Sequence, residues 1–190
     1  EMHAPISDAG AFSEFIFRRL IKVKSFKQLV VISEALKIWY LSEYPELLSK
    51  ITVEHDAADP LNEAIEKIIF EDDKLQIGYI GQLYEGKGIE VIEKIAQKCI
   101  WANFHIIGGT DKDLDYWHPR LNFKNVILHG YVPHSEVSIF QSSFDVLLAP
   151  YQPVVRAYGG KGDIGKWMSP LKLFEYMASG KPMVVSDLPV

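Results

Sequence analysis

From residue 75 onward short apolar runs alternate with amphipathic stretches, and this alternation constrains the fold more than any other feature. LQIGYIG, FHIIGG, NVILHG and FDVLLAP are apolar runs bounded by glycine or proline. Between them lie IEVIEKIAQKCI, which puts Ile89, Ile92, Ile95 and Cys99 on one helical face, then DKDLDYWH and SEVSIFQSS. Such runs read as strands buried on both faces, and strands alternating with helices specify a parallel α/β sheet covered on each side. Ligands of doubly wound sheets bind at the carboxyl ends of the strands near the switch point. Attention therefore falls on the loops after Ile80, Ile107, Leu128 and Leu148.

The last stretch, SPLKLFEYMASGKPMVVSD from Ser169 to Asp187, reads as a helix followed by a strand. Ser169 is placed to cap the helix, Pro170 suits its first position, and Gly180 with Pro182 stops it. Met183 to Val185 then reads as a short buried strand. Glu175 stands among Leu171, Phe174 and Met177, and side chains on a helix lean toward its N-terminus. Glu175 can thus reach the rim where the N–H groups of Leu171 and Lys172 are free. A helix mouth with free N–H groups, a cation and a carboxylate suits a nucleotide diphosphate with its ribose attached. The alternative is an ordinary capped helix whose glutamate sits in solvent.

The first strand is followed by Gly81-Gln82-Leu83-Tyr84-Glu85-Gly86-Lys87-Gly88. Its glycines let backbone approach a ligand, and Lys87 adds a point charge where a helix begins. The spacing is neither Walker A nor G-x-G-x-x-G, so the usual ATP and NAD readings fail; a flexible turn with an exposed lysine is the alternative. After the third strand, the backbone of His129-Gly130-Tyr131-Val132-Pro133 can read a base edge and Tyr131 can pack on its face, or the segment is simply a strand end before a helix. His105, inside an apolar run, reads as a satisfied core histidine. His3, His55, His118 and His134 lack metal spacing, and neither a nucleophile elbow nor a supported Cys/His pair is present. Tyr151 to Met168 is a long irregular segment with three glycines between 159 and 162, the kind of loop that is functional or mobile.

Upstream, residues 11–23 carry Phe12, Phe15, Ile16 and Leu20 at helical spacing, with Arg18, Arg19 and Lys22 interleaved. We expect a core-facing helix with a solvated basic side; the alternative is contact with an anionic membrane surface. Lys27–Ile32 and Ile51–Val53 read as strands flanking a helix that Ser33-Glu34 opens and Pro45 ends or redirects. The stretch from His55 to Ala64, with the acidic residues 71–73 beyond it, reads as a linker. The expected division is residues 1–55, a linker over 56–73, and a sheet domain over 74–190. A net charge of −5 argues against a nucleic-acid partner. The single Cys99 excludes an internal disulfide, and no apolar run reaches transmembrane length. A first residue other than methionine and a stop just after an apparent strand read as a fragment cut at both ends.

IGYIGQLYEGKGIEVI, HIIGG, NVILHGYVPHSEVSIFQSSFDVLLAPY and SPLKLFEYMASGKPMVVSD together resemble the C-terminal half of GT-B glycosyltransferases, most nearly the retaining enzymes of the glycosyltransferase 4 type. KQLVVISEALKIWYLSEYPELLSKITVEHDAAD is similar to the end of that family's N-terminal domain and its crossover, and EMHAP to the strand end that carries a cleft-facing histidine. The resemblance implies a GT-B fold: part of one Rossmann-like domain, then a Rossmann-like donor domain truncated at its C-terminus. It implies Lys87 on the donor diphosphate, Glu175 on the ribose hydroxyls, the Tyr131–Val132 backbone on the base, and His3 near the transferred sugar. His3, Lys87 and Glu175 would be catalytic. Gly81, Gln82, Ser169, Pro170, Leu171 and Lys172 would complete the donor site, Leu171 and Lys172 at the helix mouth.

The implied chemistry is transfer from a UDP-, GDP- or ADP-sugar to a glycan or lipid-linked acceptor. Configuration at the anomeric carbon would be retained, with no cofactor and no obligatory metal. The setting would be cytoplasmic, with possible peripheral contact at the inner membrane surface; the 190 residues alone would bind nucleotide weakly and transfer nothing. Two departures stand out. Gln82 occupies the place of the family's arginine, leaving Lys172 or Lys166 to supply that charge. Trp167 stands where the first of the family's two paired glutamates belongs. The competing readings are another GT-B enzyme, such as a sugar-nucleotide epimerase, and a non-catalytic nucleotide- or sugar-binding module.

Overall fold

Two parallel sheets organise the chain. The computed structural model describes residues 1–60, 65–156 and 163–188. The first sheet pairs β1 (Leu29–Val31) with β2 (Ile51–Val53) in parallel, and Met2 bridges to Val31 beside β1. Between the strands runs α2 (Glu34–Glu43), opened as expected by Ser33, whose hydroxyl accepts the Leu36 N–H at 3.3 Å. Leu36, Tyr40 and Tyr44 of this region are buried against Phe17 and Val31.

The helix expected over 11–23 forms as α1 (Ala11–Leu20), but the expected face is reversed. Phe17 and Ile21 are buried, Phe17 packing edge-on to Tyr44 at 5.1 Å, and Glu14 accepts the Tyr44 hydroxyl proton at 3.3 Å. Glu14, Phe17 and Ile21 share one helical face. That face docks, so the larger apolar set on the opposite side points to solvent: Phe12 is 76% exposed, and Phe15, Ile16 and Leu20 about half exposed.

The second sheet has the strand order β5-β4-β3-β6-β7 and is parallel throughout. Its members are β3 (Leu75–Ile80), β4 (Ala102–Ile107), β5 (Val126–Gly130), β6 (Val146–Ala149) and β7 (Met183–Val185). The strand period of two divides the core. Ile77, Tyr79, Phe104 and Ile106 point to one face, under α3 (Ile89–Ala96) and α4 (Asp111–Trp117). Ile107, Leu147 and Ala149 point to the other, under α5 (His134–Ser143) and α6 (Leu171–Ala178). A capping box between Thr110 and Asp113 opens α4.

Four details sharpen or correct the sequence reading. His105 is buried and satisfied: Nε2 meets Gln76 Oε1 at 2.7 Å, Nδ1 meets His129 Nε2 at 2.9 Å, and burial with the neighbouring His129 lowers its pKa to about 4. Strand β7 forms but is exposed rather than buried, with Val184 at 58%, because it is the sheet's edge and no described helix covers it. Ser169 does not cap α6. Its hydroxyl accepts the Asp56 N–H at 3.1 Å, Pro170 stands at the cap position, and the helix begins at Leu171. Finally, no helix or strand occurs between β2 and β3 among the described residues, and the glycines at 159, 160 and 162 lie outside those residues.

Candidate functional site

The chain steps from β3 outward to β4 and β5, then crosses back to lay β6 on the other side of β3. The reversal leaves a crevice at the carboxyl ends of β3 and β6, where loop 81–88 meets loop 150–156. Their backbones are tied by two hydrogen bonds, Gln152 N–H to the Gly86 carbonyl at 2.9 Å and Arg156 N–H to the Glu85 carbonyl at 3.1 Å. Gly86 and Gly88 have φ of +83° and +104°, and a Cβ on either would overlap the Val154 or Pro150 carbonyl oxygen. Only glycine allows both this backbone path and this approach. Lys87 is held between them at the start of α3, half-buried, its Nζ 5.4 Å from the centre of the Tyr151 ring. Burial lowers its pKa.

Helix α6 is aimed at the same crevice. The buried Tyr176 hydroxyl accepts the Ile80 N–H at 3.0 Å, fastening the helix to the end of β3, and Gln141 Nε2 donates to the Glu175 carbonyl at 2.9 Å, fastening it to α5. Of the cavities at its mouth, two share Leu171. The larger, about 600 Å³, runs between α5 and residues 57–60 and holds Glu175, His134, Ser138 and Asp59. Burial raises the Glu175 carboxyl pKa, and His134 and Lys172 oppose that rise. The smaller, about 240 Å³, brings Lys87, Tyr151, Ser169, Pro170 and Lys172 to face His3 and Asp56 of the first sheet's side. Met2 pairs alongside β1, so His3 emerges at that sheet's carboxyl edge, 3.2 Å from the Glu1 carboxylate.

The residues singled out in the sequence are thus distributed as follows. His3, Lys87, Ser169, Pro170, Leu171 and Lys172 share the smaller cavity, and Leu171 and Glu175 share the larger. Gly81 lies directly beneath the Lys172 ammonium position, whereas the Gln82 side chain is exposed and only its carbonyl is used, accepting the Tyr79 hydroxyl at 2.6 Å. Tyr131 is 77% exposed and lines neither cavity, while Val132 packs into the core beside α5. At the helix mouth the Leu171 N–H is taken by the Ser169 carbonyl at 3.0 Å, so it is less free than the sequence suggests. Lys166 is exposed. Trp167 packs against the core of the first sheet, its carbonyl accepts the Ser33 hydroxyl at 2.9 Å, and it lines neither cavity. His134, Ser138, Tyr79 and Tyr151 were not legible as site residues; an aromatic residue at the end of an apolar strand was the only available signal.

The family described as glycosyl transferases group 1 matches residues 74–190. A protein of Bacillus subtilis (strain 168) with the provisional name teichuronic acid biosynthesis glycosyltransferase TuaH is 28% identical over 98% of this chain and 48% of its own length. The chain therefore spans about half of that relative. HepE of Anabaena, solved with UDP and glucose, superposes with a TM-score of 0.65 at 13% identity, over 98% of this chain and 51% of that one. Sucrose-phosphate synthase of Thermosynechococcus elongatus gives 0.63 at 15% identity, over 93% and 44%. The fold is the Rossmann-like α/β fold of GT-B glycosyltransferases, and the chain belongs to the group 1 glycosyl transferases.

Proposed function

We propose that residues 74–190 form the donor-binding domain of a retaining glycosyltransferase of the glycosyltransferase 4 type, with 56–73 as linker and 1–55 as the end of the acceptor-side domain. The observation that carries this reading is the pair of cavities meeting at Leu171, the larger holding Glu175 and the smaller holding Lys87 and Lys172. A nucleoside fits the larger, its ribose hydroxyls donating to Glu175. The diphosphate fits the smaller, against Lys87 and the α6 mouth, and the sugar then extends toward His3. As the bond between the anomeric carbon and the diphosphate oxygen breaks, its electron pair leaves on the diphosphate. The acceptor oxygen bonds to the same carbon and its proton is released. Preorganised positive charge at the leaving oxygen stabilises this step, with no metal or cofactor assigned. The UDP and glucose in the HepE structure support a nucleotide-sugar donor, and the teichuronic acid name of the Bacillus relative supports a glycan or lipid-linked acceptor.

Calorimetry with UDP, GDP and ADP tests the donor site. One base should be preferred, and Glu175→Ala should weaken that nucleotide by roughly ten-fold or more, the value of lost hydrogen bonds to a charged group. No binding of any nucleotide by the folded chain would favour a non-catalytic module. In a protein of the relatives' full length, loss of turnover on Glu175→Ala without loss of donor affinity would favour an epimerase.

The outward face of α1 supports the peripheral membrane contact, on a cytoplasmic membrane surface. Phe12, Phe15, Ile16 and Leu20 are exposed beside exposed Arg19, Lys22 and Lys24, with the Arg19 guanidinium 4.5 Å from the Phe15 ring centre. An apolar strip edged with cations matches an anionic lipid surface, where each cation near the headgroups adds about 1 kcal/mol. No helix among the described residues is long and apolar enough to cross a membrane. Co-sedimentation should occur with phosphatidylglycerol vesicles and fall in high salt, and the double change Phe12→Ser, Phe15→Ser should reduce it roughly ten-fold from lost apolar burial. Mass doubling with concentration but no vesicle binding would instead assign the face to a second copy of the chain.

A further inference from the structure

Lys172 is the most anomalous group in the molecule. It is only 8% exposed, and its Nζ is fully buried with no hydrogen-bond partner among the described residues. A buried ammonium is ordinarily paired, because an uncompensated charge in a low-dielectric interior is costly. Instead the Nζ stands 3.6 Å from the centre of the Tyr79 ring and 5.2 Å from that of Tyr151, and a Cβ built on Gly81 would come within 2.9 Å of it. These neighbours are the carboxyl ends of β3 and β6, the two sides of the crevice. Lys172 is among the residues lining the smaller cavity, so a ligand seated there lies beside it.

The charged groups around it are few. Lys87 faces the same Tyr151 ring from the start of α3, and Glu175 lies further along α6 in the other cavity. Asp56 and His3 border the smaller cavity from the opposite side, and no carboxylate is within ion-pair distance among the described residues. The phenols of Tyr79 and Tyr151 cannot serve as anions, since burial raises both pKa values, that of Tyr151 to about 12. Burial, and then the nearby Lys87, hold Lys172 well below the ordinary lysine pKa, with Glu175 opposing.

Building on the nucleotide-donor reading, we infer that Lys172 is the second diphosphate cation, standing in for the charge that Gln82 lacks, and that it becomes charged by taking up a proton when the diphosphate enters. In the empty site a neutral amine rests over Tyr79 and needs no counter-ion. The diphosphate then supplies the missing negative charge, and the ring faces stabilise the ammonium that results. Donor binding and proton uptake are thereby linked, and affinity weakens as pH rises. Folding carries the opposite sign: a lysine held neutral in the folded chain favours folding more as pH rises toward the unfolded lysine pKa of about 10.4.

The test is calorimetric titration of the chain with UDP, GDP and ADP at about pH 8, above the ordinary histidine and carboxyl range. It is run in two buffers of different ionisation enthalpy. The wild type should bind one nucleotide with buffer-dependent heat corresponding to uptake of a sizeable fraction of a proton. Lys172→Met, matched for shape and checked by its thermal midpoint, should lose that uptake and bind at least roughly ten-fold more weakly. Lys172→Arg, always charged, should bind without buffer dependence. Equal wild-type heats in both buffers, or uptake that survives in folded Lys172→Met, would overturn the assignment. A folded wild type that binds none of the three nucleotides would sink the donor reading itself, and the inference with it.

Discussion

Replacing Lys87 with methionine is expected to weaken the preferred nucleoside diphosphate roughly 10- to 100-fold, the worth of a charge-assisted contact. The chain should fold at least as well as before. Lys87 forms no ion pair with any described carboxylate, and burial already disfavours its charge. An apolar side chain of similar shape over Tyr151 therefore removes a desolvation cost without leaving a partner stranded. Affinity and stability should thus move independently, which an ordinary core lysine would not show. Calorimetry alongside thermal unfolding checks this, and unchanged affinity would place the diphosphate elsewhere. In a protein of the relatives' full length, transfer should fall by roughly 10²–10³, since a charge at the leaving oxygen counts most in the transition state.

The second large effect is structural in origin and functional in outcome. Gly86→Ala places a Cβ where the Val154 carbonyl stands, on a backbone with φ of +83°. Left-handed strain costs about 1–2 kcal/mol and crowding about 1–3 more. The two cross-loop hydrogen bonds must lengthen or break, carrying Lys87 away from Tyr151. We expect a thermal midpoint lower by several degrees together with a clear loss of nucleotide affinity. Gly180→Ala is the control: its φ is +65° but the space around it is open, so only the smaller, conformational cost applies and binding should hold. Equal behaviour of the two variants would mean that loop contact at Gly86 does not position the lysine.

Much of this was readable from sequence where one local signal dominates. Strands β3, β4 and β6 announce themselves as apolar runs because each is buried on both faces, and Gly86 and Gly88 mark a tight loop before a helix because only glycine tolerates that backbone there. Where partners lie far apart in the chain, the reading fails. The apolar residues of α1 predict a buried face, yet which face is buried depends on Tyr40 on the next helix and Tyr44 just past its end. Met183 to Val185 is apolar enough for a core strand, but its burial depends on what lies beside the sheet edge. Ser169 has the chemistry of a helix cap and is claimed instead by Asp56, more than a hundred positions earlier. The enclosure of Lys172 is the extreme case, since Tyr79, Gly81 and Tyr151 converge on it only through the β3–β6 pairing.

The attachments of Trp167 and Ser169 have a mechanical meaning. The chain entering α6 is bound to the first sheet's side at two points, the Ser33 hydroxyl and the Asp56 N–H. The helix mouth is therefore a short tether between the two halves rather than a free-standing lip on one of them. Any hinge motion that widens the cleft must pull on Pro170, which borders the smaller cavity, and on Leu171, which borders both. Loosening of the grip on a diphosphate and opening of the cleft would then be one movement, and a spent nucleotide would be let go by the same displacement that admits the next donor.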